Sequence, residues 1–190
     1  MRDAAWLAAS AAVLFGSAAG SKDVEGVKVA ESATVEGRNL QLNGAGVRVK
    51  NILFVGVNVY VAGLYLETPS NDPERILSGD GLRRVSMTMV RDLDRKSLVE
   101  AVREGFEKNS RADMPKLKAR LDRFLGAIKN DFKKGDSFVI DYVPGKGTFV
   151  AGGGEKIVIE GKDFADALFS LWLGPRPVDE NLKKALLGKS

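Results

Sequence analysis

The sequence contains neither cysteine nor histidine. These two absences remove thiolate nucleophiles, imidazole-based triads and proton shuttles, and nearly all side-chain ligation of zinc or haem. They also remove disulfides and cysteine-borne lipid anchors, so the fold must be held by packing alone. Any chemistry falls to Arg, Lys, Tyr, Ser, Thr or carboxylates. No Asp-x-Asp-x-Asp-Gly loop of the calcium-binding kind is present, and no metal or other cofactor is expected. Internal repeats and low-complexity tracts are missing too. So is any block of one charge: the net +4 is the small difference between 29 basic and 25 acidic residues that are interspersed, which argues against nucleic acid as a partner. With 190 residues, 44% hydrophobic and 28% charged, the chain suits one domain with a real core.

The first segment, "MRDAAWLAASAAVLFGSAAG", has Arg2 in a short leading region, an apolar stretch from Ala4 to Phe15, and small residues from Gly16 to Gly20. That stretch is shorter than the roughly 20 apolar residues a transmembrane helix needs. The pattern predicts a secretory signal peptide over residues 1–20 and a periplasmic or secreted protein with no transmembrane span in its mature chain. The domain is expected over residues 27–190, as a monomer.

From Val27 to Leu66 the pattern is strand-like, with a Glu-Gly turn in "VEGRNL". In "NGAGVRVKNILFVGVNVYVAGLYLE", Val55, Val57, Val59 and Val61 share one face, and Phe54, Gly56, Asn58, Tyr60 and Ala62 the other. Both faces are partly apolar, which predicts a central strand covered on both sides. After a connection with one helical turn, "LRRVSMTMV" reads as a further strand. The period then lengthens. Leu98, Ala101, Val102, Gly105 and Phe106 form one helical stripe behind Asp94 or Ser97 as N-cap. In "DMPKLKARLDRFLGAIKNDF" Asp113 caps and Leu117, Leu121, Phe124, Leu125 and Ile128 share a face. A three-strand meander follows, and two helices close the chain: "DFADALFSLWLG", with Phe164, Leu168 and Trp172 on a stripe, and "VDENLKKALLG". This order predicts an α+β domain, a mostly antiparallel sheet with helices on one face.

"NGAG" and "AGGGEK" read as hairpin turns, since the first lacks a Lys-Ser/Thr ending and the second has no helix behind it. Lys96 and Arg103, two turns apart on one helix, either belong to a solvated ion-pair face or reach over a nearby cleft. Arg48 and Tyr60 form a sharper pair. If Val47–Leu53 and Gly56–Leu66 make a hairpin turning near Phe54, the two stand opposite each other, about 5 Å apart, close enough to share one anionic group. The alternative is an edge arginine snorkelling to water beside a core tyrosine.

At these residues the chain resembles the chalcone isomerase-like family. "NGAGVRVKN…VYVAGLYLE" is similar to the family's Gly-Ala-Gly-x-Arg segment and its strand ending in Gly-x-Tyr-Leu-Glu, and "LFSLWLGPRPVDENLKKALLG" resembles its C-terminal helices. The resemblance implies an open-faced β-sandwich, a large antiparallel sheet carrying a helical layer with a ligand cleft between them. In the family's plant isomerases an arginine orients a flavonoid chalcone, and Arg48 matches it. The carbonyl-polarising threonine falls on Tyr60, the helix tyrosine and asparagine on Lys96 and Arg103, and the C-terminal threonine or serine near Leu171, beside Ser170. The arginine is kept and the rest replaced. In another branch, an arginine and a tyrosine hold a fatty-acid carboxylate, and Arg48 and Tyr60 fit that arrangement. The expected role is therefore a non-catalytic binder of a fatty-acid-like or other amphipathic carboxylate, with Arg48, Tyr60, Lys96, Arg103 and Leu171 at the ligand. The alternatives are an isomerase (intramolecular lyase) acting on a flavonoid-like enone, with Arg48 stabilising developing negative charge, and a ligand-free scaffold in which Arg48 pairs with a carboxylate such as Glu67.

Overall fold

A computed structural model describes residues 20–189; the expected signal peptide lies almost wholly outside them. Ordered strands begin at Ser21, ahead of Val27, with a hairpin of β1 (Ser21–Val24) and β2 (Val27–Ala30) forming a separate two-stranded sheet. The main sheet is a seven-stranded antiparallel meander in strict chain order: β3 (Ser32–Val35), β4 (Arg38–Ile52), β5 (Val55–Leu66), β6 (Arg83–Met89), β7 (Ser137–Val143), β8 (Gly147–Ala151) and β9 (Ile157–Ile159). The helices are α1 (Pro73–Ser78), α2 (Arg95–Ser110), α3 (Met114–Ala127), α4 (Lys162–Leu173) and α5 (Glu180–Leu186), with a 3₁₀ turn at Arg111–Asp113.

Period-two alternation divides the core into two layers. On β6, Arg83, Val85, Met87 and Met89 are buried while Arg84, Ser86 and Thr88 are half-buried. The larger cluster joins one face of the sheet to all five helices. The opposite face carries Ala45, Val61, Tyr65 and Val143, and Val29 of the β1–β2 hairpin packs there, so among the described residues no helix covers the second face. This is the α+β, open-faced arrangement expected. α4 is its centre: Phe164, Ala165, Ala167, Leu168, Phe169, Leu171, Trp172 and Leu173 are all buried, more than a stripe, because α4 lies between the sheet and the other helices.

The Asn-Gly-Ala-Gly segment, expected as a hairpin turn, instead lies inside β4, paired with β5, and its glycines have a packing reason. A Cβ on Gly44 would stand 2.1 Å from the Ala185 carbonyl oxygen, and one on Gly46 would stand 2.6 Å from the Ala185 Cβ, so the bare backbone lets α5 lie directly on β4. Asp94 caps α2 by accepting from the Ser97 amide. Two details of the helical reading change. Asp113 makes no capping bond, because the 3₁₀ turn before it already holds the backbone in helical conformation. α3 stops at Ala127 instead of running towards Phe132, whose backbone pairs with Leu93 and whose ring packs edge-on against Phe138.

β5 also departs from a strand covered throughout. From Val59 to Leu66 it is buried on both faces, but its first residue paired with β6 is Tyr60, so the end of the β4–β5 hairpin projects beyond the sheet. Its two-residue turn, Leu53-Phe54, has positive φ at both residues (47° and 70°), the left-handed conformation that costs an ordinary residue roughly 1–2 kcal/mol.

Candidate functional site

The site begins with the register of β4 against β5. Counting back from the Leu53-Phe54 turn, an uninterrupted ladder would set Arg48 against Val59. A β-bulge between Arg48 and Val49 inserts Val59 as the extra residue and moves Tyr60 opposite Arg48. The expected pair thus forms, by a bulge rather than by a simple hairpin. The same bulge breaks the valine row, turning Val59 to join Tyr60 in the helix-facing core while Val61 stays on the other face.

Tyr60 is 6% exposed, and its hydroxyl accepts a hydrogen bond from Trp172 Nε1 at 3.0 Å. Burial pushes the phenol's pKa up, an effect only partly offset by the Arg48 charge and the Trp172 bond, so at neutral pH Tyr60 is an uncharged donor. The indole can only donate, so the phenolic proton is left free for another acceptor. Arg48 supplies the complementary feature: its Nη1 is fully buried and has no hydrogen-bond partner among the described residues.

The neighbouring carboxylates are committed elsewhere. Asp179 caps α5 by accepting from the amides of Asn181 and Leu182, and its second oxygen accepts from the Val49 amide at 2.9 Å. Glu104 pairs with Lys108 at 2.6 Å. Glu67, the partner expected of a closed scaffold, is held by Arg38 instead, with Nε at 2.9 Å.

Arg48 and Tyr60 stand at one end of a cleft between the sheet and the helices. Its walls are apolar: Leu98 and Val102 of α2, Phe124 of α3, Phe138 and Ile140 of β7, and Leu168 and Leu171 of α4. Lys50 and Ser97 join Arg48 at the polar end. The free space between these walls is small, about 60 Å³.

The structure therefore brings Arg48, Tyr60 and Leu171 together at the cleft but not Lys96 or Arg103. The Lys96 side chain is 85% exposed and 3.9 Å from Glu100, and that of Arg103 is 52% exposed and 3.5 Å from Asp122. α2 turns Leu98, Val102 and Phe106 inward, and burying two cations in their place would cost several kcal/mol each. Ser170, beside Leu171, donates to the Asp166 carbonyl of its own helix at 2.7 Å. Trp172 was legible only as a member of a core stripe, because its polar partner lies 112 positions away in the chain. Asp179 carried a recognisable signal, an aspartate just before a short amphipathic helix.

The chalcone isomerase-like family model matches residues 21–188. No curated protein matches the sequence. Among solved structures, the chain is similar to an Arabidopsis thaliana fatty-acid binding protein, with a TM-score of 0.68 and 18% identity, over 85% of this chain and 92% of that one. With the family model spanning every strand and helix described above, the chain belongs to the chalcone isomerase-like family.

Proposed function

We propose that the protein is a non-catalytic binder of an amphipathic carboxylate of the fatty-acid class. Arg48 and Tyr60 receive the head group, and the tail lies among Leu98, Val102, Phe124, Phe138 and Leu168. The observation that carries this reading is the buried, unpartnered Arg48 Nη1 beside a phenol whose proton is free to be donated. A carboxylate satisfies both at once through charge-assisted bonds, each contributing about 1.5–3 kcal/mol. Each tail methylene buried in the apolar cleft adds about 0.8 kcal/mol. The fold shared with a fatty-acid binding protein supports the same reading. So does the replacement of the family's catalytic helix residues by Lys96 and Arg103, which face solvent. The pattern of residues 1–20 supports a periplasmic or secreted location.

The test is native mass spectrometry of protein purified from its own source, followed by titration of stripped protein with fatty acids. A co-purifying fatty acid, lost in an Arg48→Ala, Tyr60→Phe double variant, is the expected result. An unchanged acyl load in that variant sinks the proposal, and a bound flavonoid-like enone turned over faster than its spontaneous rate reassigns the site to an isomerase.

A further inference from the structure

Among the described residues the chain makes three tight two-residue hairpin turns with positive φ at both residues. Two of them, Glu25-Gly26 and Glu36-Gly37, use a polar residue and then glycine, the chemistry such turns favour. The third places Leu53 and Phe54 there, against both backbone preference and solvation. Leu53 is 88% exposed, Phe54 104% and Val55 63%, the only large hydrophobic side chains so exposed among the described residues. They sit on the tip of a ribbon whose outer strand pairs with β3 only over Arg38–Gln41 and whose inner strand pairs with β6 only from Tyr60 onward.

A convex apolar point of this kind has no concave face for a folded partner to fill. A lipid surface deforms around it. Charge agrees: from Gly44 to Leu66 the hairpin carries two cations, Arg48 and Lys50, and no acidic residue. Lys50 lies just below the apolar tip, where an inserted hairpin would meet lipid head groups. The same hairpin supplies Arg48, Lys50 and Tyr60 to the polar end of the cleft.

We propose that the β4–β5 tip is a membrane-docking element that inserts Leu53 and Phe54 into the interfacial layer of an anionic lipid surface, presenting the polar end of the cleft to it. The inference does not depend on the identity of the molecule bound in the cleft.

The decisive variant is Leu53→Asn, Phe54→Gly, which installs the preferred residues of this turn and so keeps or raises thermal stability while deleting the apolar tip. Flotation of the full chain with phosphatidylcholine vesicles, with and without phosphatidylglycerol, should show partitioning that is stronger with the anionic lipid. The variant should lower it by about tenfold or more. Flotation of the same two proteins lacking residues 1–20 removes any affinity contributed by the apolar stretch Ala4–Phe15. A Phe54→Trp reporter should shift its emission to the blue on vesicle addition and be quenched by bromolipids. Equal partitioning of variant and parent, or a Phe54→Trp emission unmoved by vesicles, overturns the proposal. A dimer that the turn variant converts to monomer in sedimentation velocity, with no vesicle effect, assigns the tip to a second copy instead.

Discussion

Two arginines on β4 and β6, the strands flanking β5, share the helical side of this sheet and have opposite fates. Arg83 is 1% exposed: Nη1 donates to the Ile76 carbonyl at 2.7 Å, Nη2 binds Asp166, and the guanidinium lies 4.7 Å and 4.8 Å from the ring centres of Tyr142 and Phe169. Only its Nε lacks a partner. The charge is spent on structure, joining α1, α4 and β7 across the sheet. Arg48 has a buried Nη1 that nothing in the described fold satisfies, although the Glu104 carboxylate lies within its electrostatic reach and that of Asp179 stands near its neighbour Tyr60. Each is tied to another donor. A guanidinium closed by its own chain is architecture; one with a buried nitrogen left open is what the proposed carboxylate would satisfy.

The largest expected effect that would break this contrast is on stability. Arg83→Ala strands the buried Ile76 carbonyl and opens the space between two rings, while Asp166 keeps Lys162; it should lower unfolding free energy by about 2–4 kcal/mol in urea denaturation. A loss below about 1 kcal/mol would erase the distinction between the two arginines. Arg48→Ala should do the reverse. Stability of the ligand-free protein should stay within about 1 kcal/mol of the parent, since an unpaired buried donor is removed, while fatty-acid affinity falls by about 10- to 100-fold in calorimetry. Tyr60→Phe is a smaller change of the same kind. It removes one donor to the carboxylate and strands the Trp172 N–H, so affinity should fall about tenfold and stability by about 1 kcal/mol.

The smallest effect is in alkali. Burial, followed by the hydrogen bond to Asp80, pushes the Tyr142 phenol up to about 12, against about 10 in the unfolded chain. The unfolded state therefore releases this proton first, and the contribution of Tyr142 is complete below about pH 10 and lost as pH rises towards 12. Tyr142→Phe should flatten that alkaline limb in thermal melts, and an unchanged slope would show that the phenol does not titrate with folding.

The helical stripes of α2 and α4 and the alternation of β6 and β7 were legible because burying one face imposes a period that any sequence must write out. The Arg48–Tyr60 pair was expected from a simple hairpin whose assumed register was one residue off, and the bulge at Val59 made up the difference. That bulge was not legible, because nothing in the local alternation marks an extra residue there, and Tyr60's partner Trp172 lies 112 positions away. Lys96 and Arg103 were misplaced by aligning positions along a helix without its rotation, which the apolar side chains of α2 decide.

The residues themselves determined that the protein has no thiol or imidazole chemistry, that its sheet and helices alternate as they do, and that one hairpin carries cations without anions. Those properties follow from composition and short-range period, which are local. Tertiary structure alone decided which buried guanidinium nitrogens are satisfied and which are not. That depends on whether Asp166 reaches Arg83 and whether Asp179 is taken by the Val49 amide, distances that exist only once separate elements have packed.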